Sequence, residues 1–204
     1  MTVRQVIDLA RGRELRQLAV KDDITTLLGY YNMGVIELYK RFPLKVEEVI
    51  IELLDGQDIY TLPADFMWIV AAYGETTPSD SSSVNILPIN EEDEPDSINT
   101  VGWNKVQIPL SIAGARVSII YVSSPEYLTE ENLTDIAEFP VQLLEALVHY
   151  IGFCGHVSQD GDAQKENNVH YQRFVASCEL VRTMGMYNTD DVSMNKRIET
   201  RGFE

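Results

Sequence analysis

The side chains in this chain most able to do chemistry are three histidines, His149, His156 and His170, and two cysteines, Cys154 and Cys178. His149 and His156 share one apolar-periodic stretch with Cys154 between them. A spacing of seven puts the two imidazoles about two turns apart, whereas two ligands on one helix face sit four residues apart. A His/Cys metal cluster is one reading of these residues; a core thiol beside two partly exposed histidines is the expected one. The chain has no nucleophile elbow, no phosphate-cradling glycine loop and no paired-cysteine zinc pattern. No catalytic residue, metal site or cofactor is therefore expected.

The densest charge is Glu91, Glu92, Asp93, Glu94 and Asp96, broken only by Pro95. These carboxylates lack the Asp-x-Asp-x-Asp-Gly order of a calcium loop, so a solvated acidic turn is expected. The net charge of -16 over 204 residues argues against free duplex DNA as a partner, because no basic patch offsets the repulsion of phosphates. It also predicts good solubility and weak self-association at low salt. Cys154 and Cys178 both fall on apolar helical faces and read as reduced core residues of an intracellular protein. Met1-Thr2-Val3-Arg4-Gln5 lacks the apolar run of a signal peptide, and no stretch is long enough to span a bilayer. The expectation is a soluble chain that stays in the cytosol or in something assembled there. Trp68 is expected in the core; Trp103, between Gly102 and Asn104, is left open.

The elements that must position these residues follow from periodicity. Thr2 with Gln5 makes a capping-box pattern, and Val3, Val6, Ile7 and Ala10 form a short stripe ended by Gly12. Asp22 and Asp23 open a helix to about Phe42, with Ile24, Leu27, Leu28, Tyr31, Val35, Leu38 and Tyr39 on its stripe; Pro43 stops it. The period then changes. Residues 45–53 and 58–62, joined through Asp55-Gly56-Gln57, read as a hairpin. Residues 67–73 read as a buried strand, and residues 84–89, 106–109 and 116–122 as further strands, the last two around Ala113-Gly114. Residues 76–83 read as an exposed loop and residues 126–138 as an acidic linker. Residues 139–186 predict two amphipathic helices joined by Gln159-Asp160-Gly161-Asp162. Pro140 opens the first, whose stripe is Leu143, Leu144, Leu147, Val148, Ile151 and Cys154. Asp162 caps the second, whose stripe is Tyr171, Phe174, Val175, Cys178 and Val181. Both should pack against a helix near the N-terminus.

Beyond residue 186 the apolar rhythm stops. Val192, Met194, Ile198 and Phe203 stand singly among polar residues, with Lys196, Arg197 and Arg201. Fully extended, this stretch would reach roughly 60 Å. A terminus without fixed structure is the default for such ends, and an arm that folds onto a partner is the other reading.

Five segments, taken in order, carry a resemblance to a known family. They are Ile36-Glu37-Leu38-Tyr39-Lys40-Arg41-Phe42; Tyr60-Thr61-Leu62-Pro63-Ala64-Asp65-Phe66; and Val117-Ser118-Ile119-Ile120-Tyr121 followed by Ser124-Pro125. The fourth is Phe139-Pro140-Val141-Gln142-Leu143-Leu144-Glu145-Ala146-Leu147-Val148-His149-Tyr150, and the fifth is a helix with Glu166-Asn167, His170-Tyr171 and Phe174. In this order and nearly over its whole length, the chain resembles the head-to-tail adaptor (head-completion, or tail tubular) proteins of short-tailed bacteriophages. The resemblance implies an α+β protein. Residues 1–43 and 139–186 would form the helical body, residues 44–125 an inserted antiparallel β-domain, and residues 187–204 an extended C-terminal arm.

The resemblance further implies a virion protein without an active site, assembled in the host cytoplasm. It would be a homo-oligomeric, dodecameric ring between the portal protein and the tail nozzle protein, through which DNA passes without specific binding. The portal-binding role would fall on Tyr187, Val192, Met194, Lys196, Arg197, Ile198, Arg201 and Phe203. The acidic surface at 91–96 has no counterpart. An acidic inhibitor that mimics DNA is one rival, although it would need carboxylates spaced along one face; a metal-dependent enzyme using the histidines is another.

Overall fold

Local chemistry starts the first helix. In the computed structural model, which describes residues 1–75, 84–112, 116–160 and 169–185, the Thr2 hydroxyl accepts the Gln5 amide and the Gln5 side-chain oxygen accepts the Thr2 amide. This closes the expected capping box on α1 (Val3–Arg13). The helix does not stop at Gly12. That residue has no left-handed backbone to end it, and the Glu14 amide continues the ladder to Ala10 O at 2.9 Å. In α2 (Ile24–Tyr39), Asp23 accepts both the amide and the hydroxyl of Thr26. The last turn tightens through Arg41 and Phe42, whose amides reach Leu38 O, so the regular helix ends sooner than the sequence reading placed it.

Pro140 caps a 3-10 turn, Val141–Leu143, that feeds α3 (Leu144–Asp160). The expected amphipathic stripe is corrected here, because every residue from Ala146 to Gly155 is buried. The cause is that α3 packs against α1, α2 and α4 (Val169–Thr183) together, so it has no side left for solvent. Gly34 on α2 permits part of this: a Cβ there would lie 2.5 Å from Leu147 Cδ1. In α4 the expected stripe holds, with Phe174, Cys178 and Val181 buried. Gln159 and Asp160, expected in the joining turn, are still helical; Gly161 and the expected cap Asp162 lie outside the described residues.

These four helices belong to one compact unit, drawn from Met1–Leu44 and Pro125–Tyr187. The segment read as an acidic linker is structured within it. It carries a 3-10 turn, Glu130–Thr134, and pairs with the start of the chain through a bridge between Thr2 and Ile136.

Among the described residues, the second unit, which takes in Lys45–Ser124, carries seven strands. These are β1 (Val46–Glu52), β2 (Ile59–Thr61), β3 (Phe66–Glu75), β4 (Val84–Leu87), β5 (Asn99–Gly102), β6 (Lys105–Gln107) and β7 (Arg116–Ser123). They form two antiparallel sheets, in the orders β1-β7-β3-β4 and β2-β6-β5. The expected hairpin of β1 with β2 is therefore wrong. Gly56 does turn the chain with φ +76°, but it hands it from one sheet to the other. β1 pairs instead with β7, setting Val49 opposite Ile119 and Ile51 opposite Val117. That seven-residue ladder brings together apolar residues that a three-residue β2 could not match. Likewise β6 and β7 lie in different sheets, and β5 is a strand the sequence reading missed. One core joins both sheets: Ile51, Ala72, Leu87, Val117 and Ile119 from the larger, with Tyr60, Val106 and Ile108 from the smaller sheet and its flank. A helical body with an antiparallel β-domain inserted in its middle is thus the observed architecture.

Candidate functional site

The side chains with chemical potential converge on Glu14. This residue caps the C-terminal end of α1, and its carboxylate is only 8 % exposed. Gly152 on α3 makes room for it, since a Cβ at that position would stand 2.8 Å from Glu14 Cβ. His170 Nδ1, from the first turn of α4, lies 2.7 Å from Glu14 Oε2. His149 Nδ1, from α3, lies 3.3 Å from Oε1, close enough for ionic attraction but without hydrogen-bond geometry. His156 Nε2 is 3.1 Å from the Glu14 backbone oxygen, and its ring stacks on that of His170 with centroids 4.2 Å apart.

The sequence reading had His149 partly exposed. The structure buries it, because the stretch of α3 from Ala146 to Gly155 has no solvent face, and Glu145 Oε1 lies 3.8 Å from its other ring nitrogen. Burial, with His156 alongside, holds His170 below the ordinary imidazole range, against the opposing pull of Glu14. Cys154 and Cys178 are both buried free thiols, and burial pushes Cys178 up to about 11, so it is no nucleophile at neutral pH. Among the described residues no group of three or more His, Cys, Asp or Glu side chains could hold a metal ion. The arrangement sets three imidazole rings around one largely buried glutamate.

Sequence reasoning grouped two of these histidines and missed Glu14 altogether. Its signal was faint: an acidic residue at a helix C-terminus, where the dipole disfavours it, followed by Leu15 and Leu18.

Surfaces complete the inventory. Glu91, Glu92, Asp93, Glu94 and Asp96 are all exposed on a turn closed by backbone bonds from Glu94 to Glu91 and from Ser97 to Glu94. Asp96 Oδ1 accepts the Ser111 hydroxyl at 2.7 Å. Trp103, at the tip between β5 and β6, is 72 % exposed, with Val101 and Leu110 also exposed. Trp68, expected in the core, is only half-buried on β3. Tyr187, Val192, Met194, Lys196, Arg197, Ile198, Arg201 and Phe203 lie outside the described residues. Among the described residues no helix is long and apolar enough to cross a membrane.

Comparison with known proteins adds what this geometry does not contain. No curated protein sequence matches the chain. Among solved structures, a chain from the "Neck of empty GTA particle computed with C6 symmetry" is similar at 15 % identity, covering 87 % of this chain and 88 % of its own, with a TM-score of 0.31. The family described as SU10 adaptor protein matches residues 1–197, which takes in both structural units. The chain belongs to the SU10 adaptor protein family.

Proposed function

We propose that this chain is a head-to-tail adaptor of a bacteriophage virion, a structural protein and not an enzyme. The observation that carries the reading is the family match over residues 1–197. It extends across the helical unit, the inserted β-unit and most of the stretch after residue 186. In this reading the helices form the body of a dodecameric ring between the portal and the tail nozzle. The C-terminal arm, 187–204, grips the portal through Val192, Met194, Ile198 and Phe203, with Lys196, Arg197 and Arg201 beside them. The β-unit faces the nozzle, and exposed Trp103, Val101 and Leu110 supply the kind of apolar anchors an interface uses. A net charge of -16 suits a protein around a DNA channel, because phosphates pass without sticking.

The test is to mix the full chain with the portal of its own phage and follow co-sedimentation, beside a chain ending at residue 187. Binding by the full chain and loss in the truncated one supports the arm assignment. Equal binding by both removes the arm from the account. Absence of the protein from purified virions ends the adaptor reading.

A further inference from the structure

β1 is the longest edge strand of the two sheets. It pairs with β7 on one side, and among the described residues no strand lies on the other. Its seven residues therefore present a row of open backbone donors and acceptors, which proteins normally cover or blunt. Val49 and Ile51 turn to the core. The opposite face shows Val46 at 45 % and Ile50 at 54 % exposure, with Glu48 between them and Glu52 beyond. Glu52 is answered by Arg116 of β7 at 3.8 Å. Glu48 accepts the Ser118 hydroxyl but has no cation beside it among the described residues. The strand has three glutamates and no basic residue, so a second copy of itself is a poor match.

The matching segment lies in the arm. Residues 192–198, Val-Ser-Met-Asn-Lys-Arg-Ile, hold two cations and no carboxylate in a chain of net charge -16. In a strand, Val192, Met194, Lys196 and Ile198 share one side, and Ser193, Asn195 and Arg197 the other. Laid antiparallel to β1 with Ile198 opposite Val46, the segment sets Lys196 opposite Glu48 and Met194 opposite Ile50 on the outer face. On the core side Arg197 falls opposite Glu47, and small Ser193 opposite buried Ile51. A parallel strand that keeps Lys196 opposite Glu48 would set Arg197 against Val49 and Glu199 against Ile51, both on the core side. Sliding the antiparallel strand by two residues would set Met194 or Ile198 against Glu48. One register suits both faces.

Chain length permits this pairing within one molecule. Arg182, in the last turn of α4, donates from Nη2 to Arg41 O at 3.4 Å, and Arg41 stands five residues before β1. Gly185, with φ +68°, then turns the chain off the helix. The ten residues from Arg182 to Val192 reach roughly 33 Å when extended, against roughly 20 Å for the length of β1.

We propose that residues 192–198 add to the open edge of β1 of the same chain as a fifth, antiparallel strand of the larger sheet, storing the arm before it meets a partner. The storage stands on this edge alone; that the arm is afterwards given up to a portal rests on the adaptor reading above.

Amide hydrogen exchange at neutral pH, comparing the full chain with the chain ending at residue 187, tests this. Peptides covering residues 46–52 should exchange about tenfold more slowly in the full chain, the worth of two or three cross-strand pairs. Peptides from Leu27 to Val35 should not differ. In the full chain, Glu48→Lys or Lys196→Glu alone sets like charges opposite each other and should remove most of that protection, while the two together should restore it. Equal exchange over residues 46–52 in both lengths, a double variant as unprotected as the single ones, or protection that rises with protein concentration overturns the proposal. No readout here involves a portal, so failure of the storage and failure of portal binding are told apart.

Discussion

Asn32 on α2 holds Leu128 by both of its backbone groups. Its side-chain Nδ2 donates to Leu128 O at 2.8 Å, and the Leu128 amide donates to Asn32 Oδ1 at 3.2 Å. Asn32 is 4 % exposed, so this amide acts as a two-point splint within the helical body for the segment that follows the β-unit in sequence. Removing it orphans polar groups at a partly buried site, at a cost of about 2 kcal/mol. Asn32→Ala should lower the unfolding free energy by about that much. Asn32→Asp, which keeps an acceptor but loses the donor, should fall in between. Urea unfolding at neutral pH measures both.

Gly34 predicts an opposite kind of cost. Alanine normally improves a helix interior by up to about 1 kcal/mol. Here its Cβ would meet Leu147 Cδ1 at 2.5 Å and Tyr150 Cδ1 at 3.1 Å, so α2 and α3 would have to separate or Leu147 change rotamer. Overpacking of this kind costs about 1–3 kcal/mol. Gly34→Ala should therefore destabilise, while Gly29→Ala, with nothing within 4 Å, should stabilise. Thermal unfolding of the pair separates packing from propensity.

His170 sets a pH dependence whose sign is fixed by the direction of its shift. Burial lowers its pKa in the folded protein below the ordinary 6.5. Between 6.5 and the lowered value the unfolded chain binds the proton and the folded one does not, so stability falls as pH falls through that window. Above it the contribution is flat. The difference in unfolding free energy between the wild type and His170→Asn should be constant from pH 7 to 8 and change in favour of the variant below 6.5. A difference that is independent of pH would assign the shift to the wrong residue.

What was legible in the sequence was mostly what is decided within a few residues. Thr2 with Gln5, and Asp23 at the start of α2, are local bargains between a side chain and the next turn, and the structure keeps both, while Pro140, expected to open the long helix, caps a 3-10 turn ahead of it. Strand partners are decided at long range. β1 meets β7 because Val49 and Ile51 match Ile119 and Val117, and no turn residue near Gly56 encodes that choice. The all-round burial of α3 did leave a trace, in that Glu145 is its one acidic residue before Asp160 and it has no lysine or arginine. The Glu14 cluster left almost none. Its bonds span 142 residues to His156 and 156 to His170, and only the packing of three helices brings them together.

In the proposed adaptor role, Trp103 separates folding from association. At 72 % exposure it contributes little to the core, and surface changes of this kind stay within about 0.5 kcal/mol. Trp103→Ala should leave the melting temperature of the isolated chain nearly unchanged while weakening capture of the tail nozzle protein, which sedimentation of mixtures would show. Equal capture by both forms would move the nozzle contact away from the tip between β5 and β6.

The charge of the chain predicts how assembly is timed. In the proposed ring, a charge of -16 on each subunit repels its neighbours, and at about 0.01 M salt that repulsion reaches roughly 30 Å. Purified protein should therefore stay unassociated at low ionic strength. Raising salt to about 1 M shortens the reach to roughly 3 Å and should allow weak association without any partner. A partner that binds each subunit adds the free energy the repulsion opposes, so rings should form on the portal at salt concentrations where the free chain stays apart. Light scattering across a salt series, with and without portal, tests this. Stable rings of the free chain at low salt would show that subunit contacts outweigh the charge and that the portal does not control assembly.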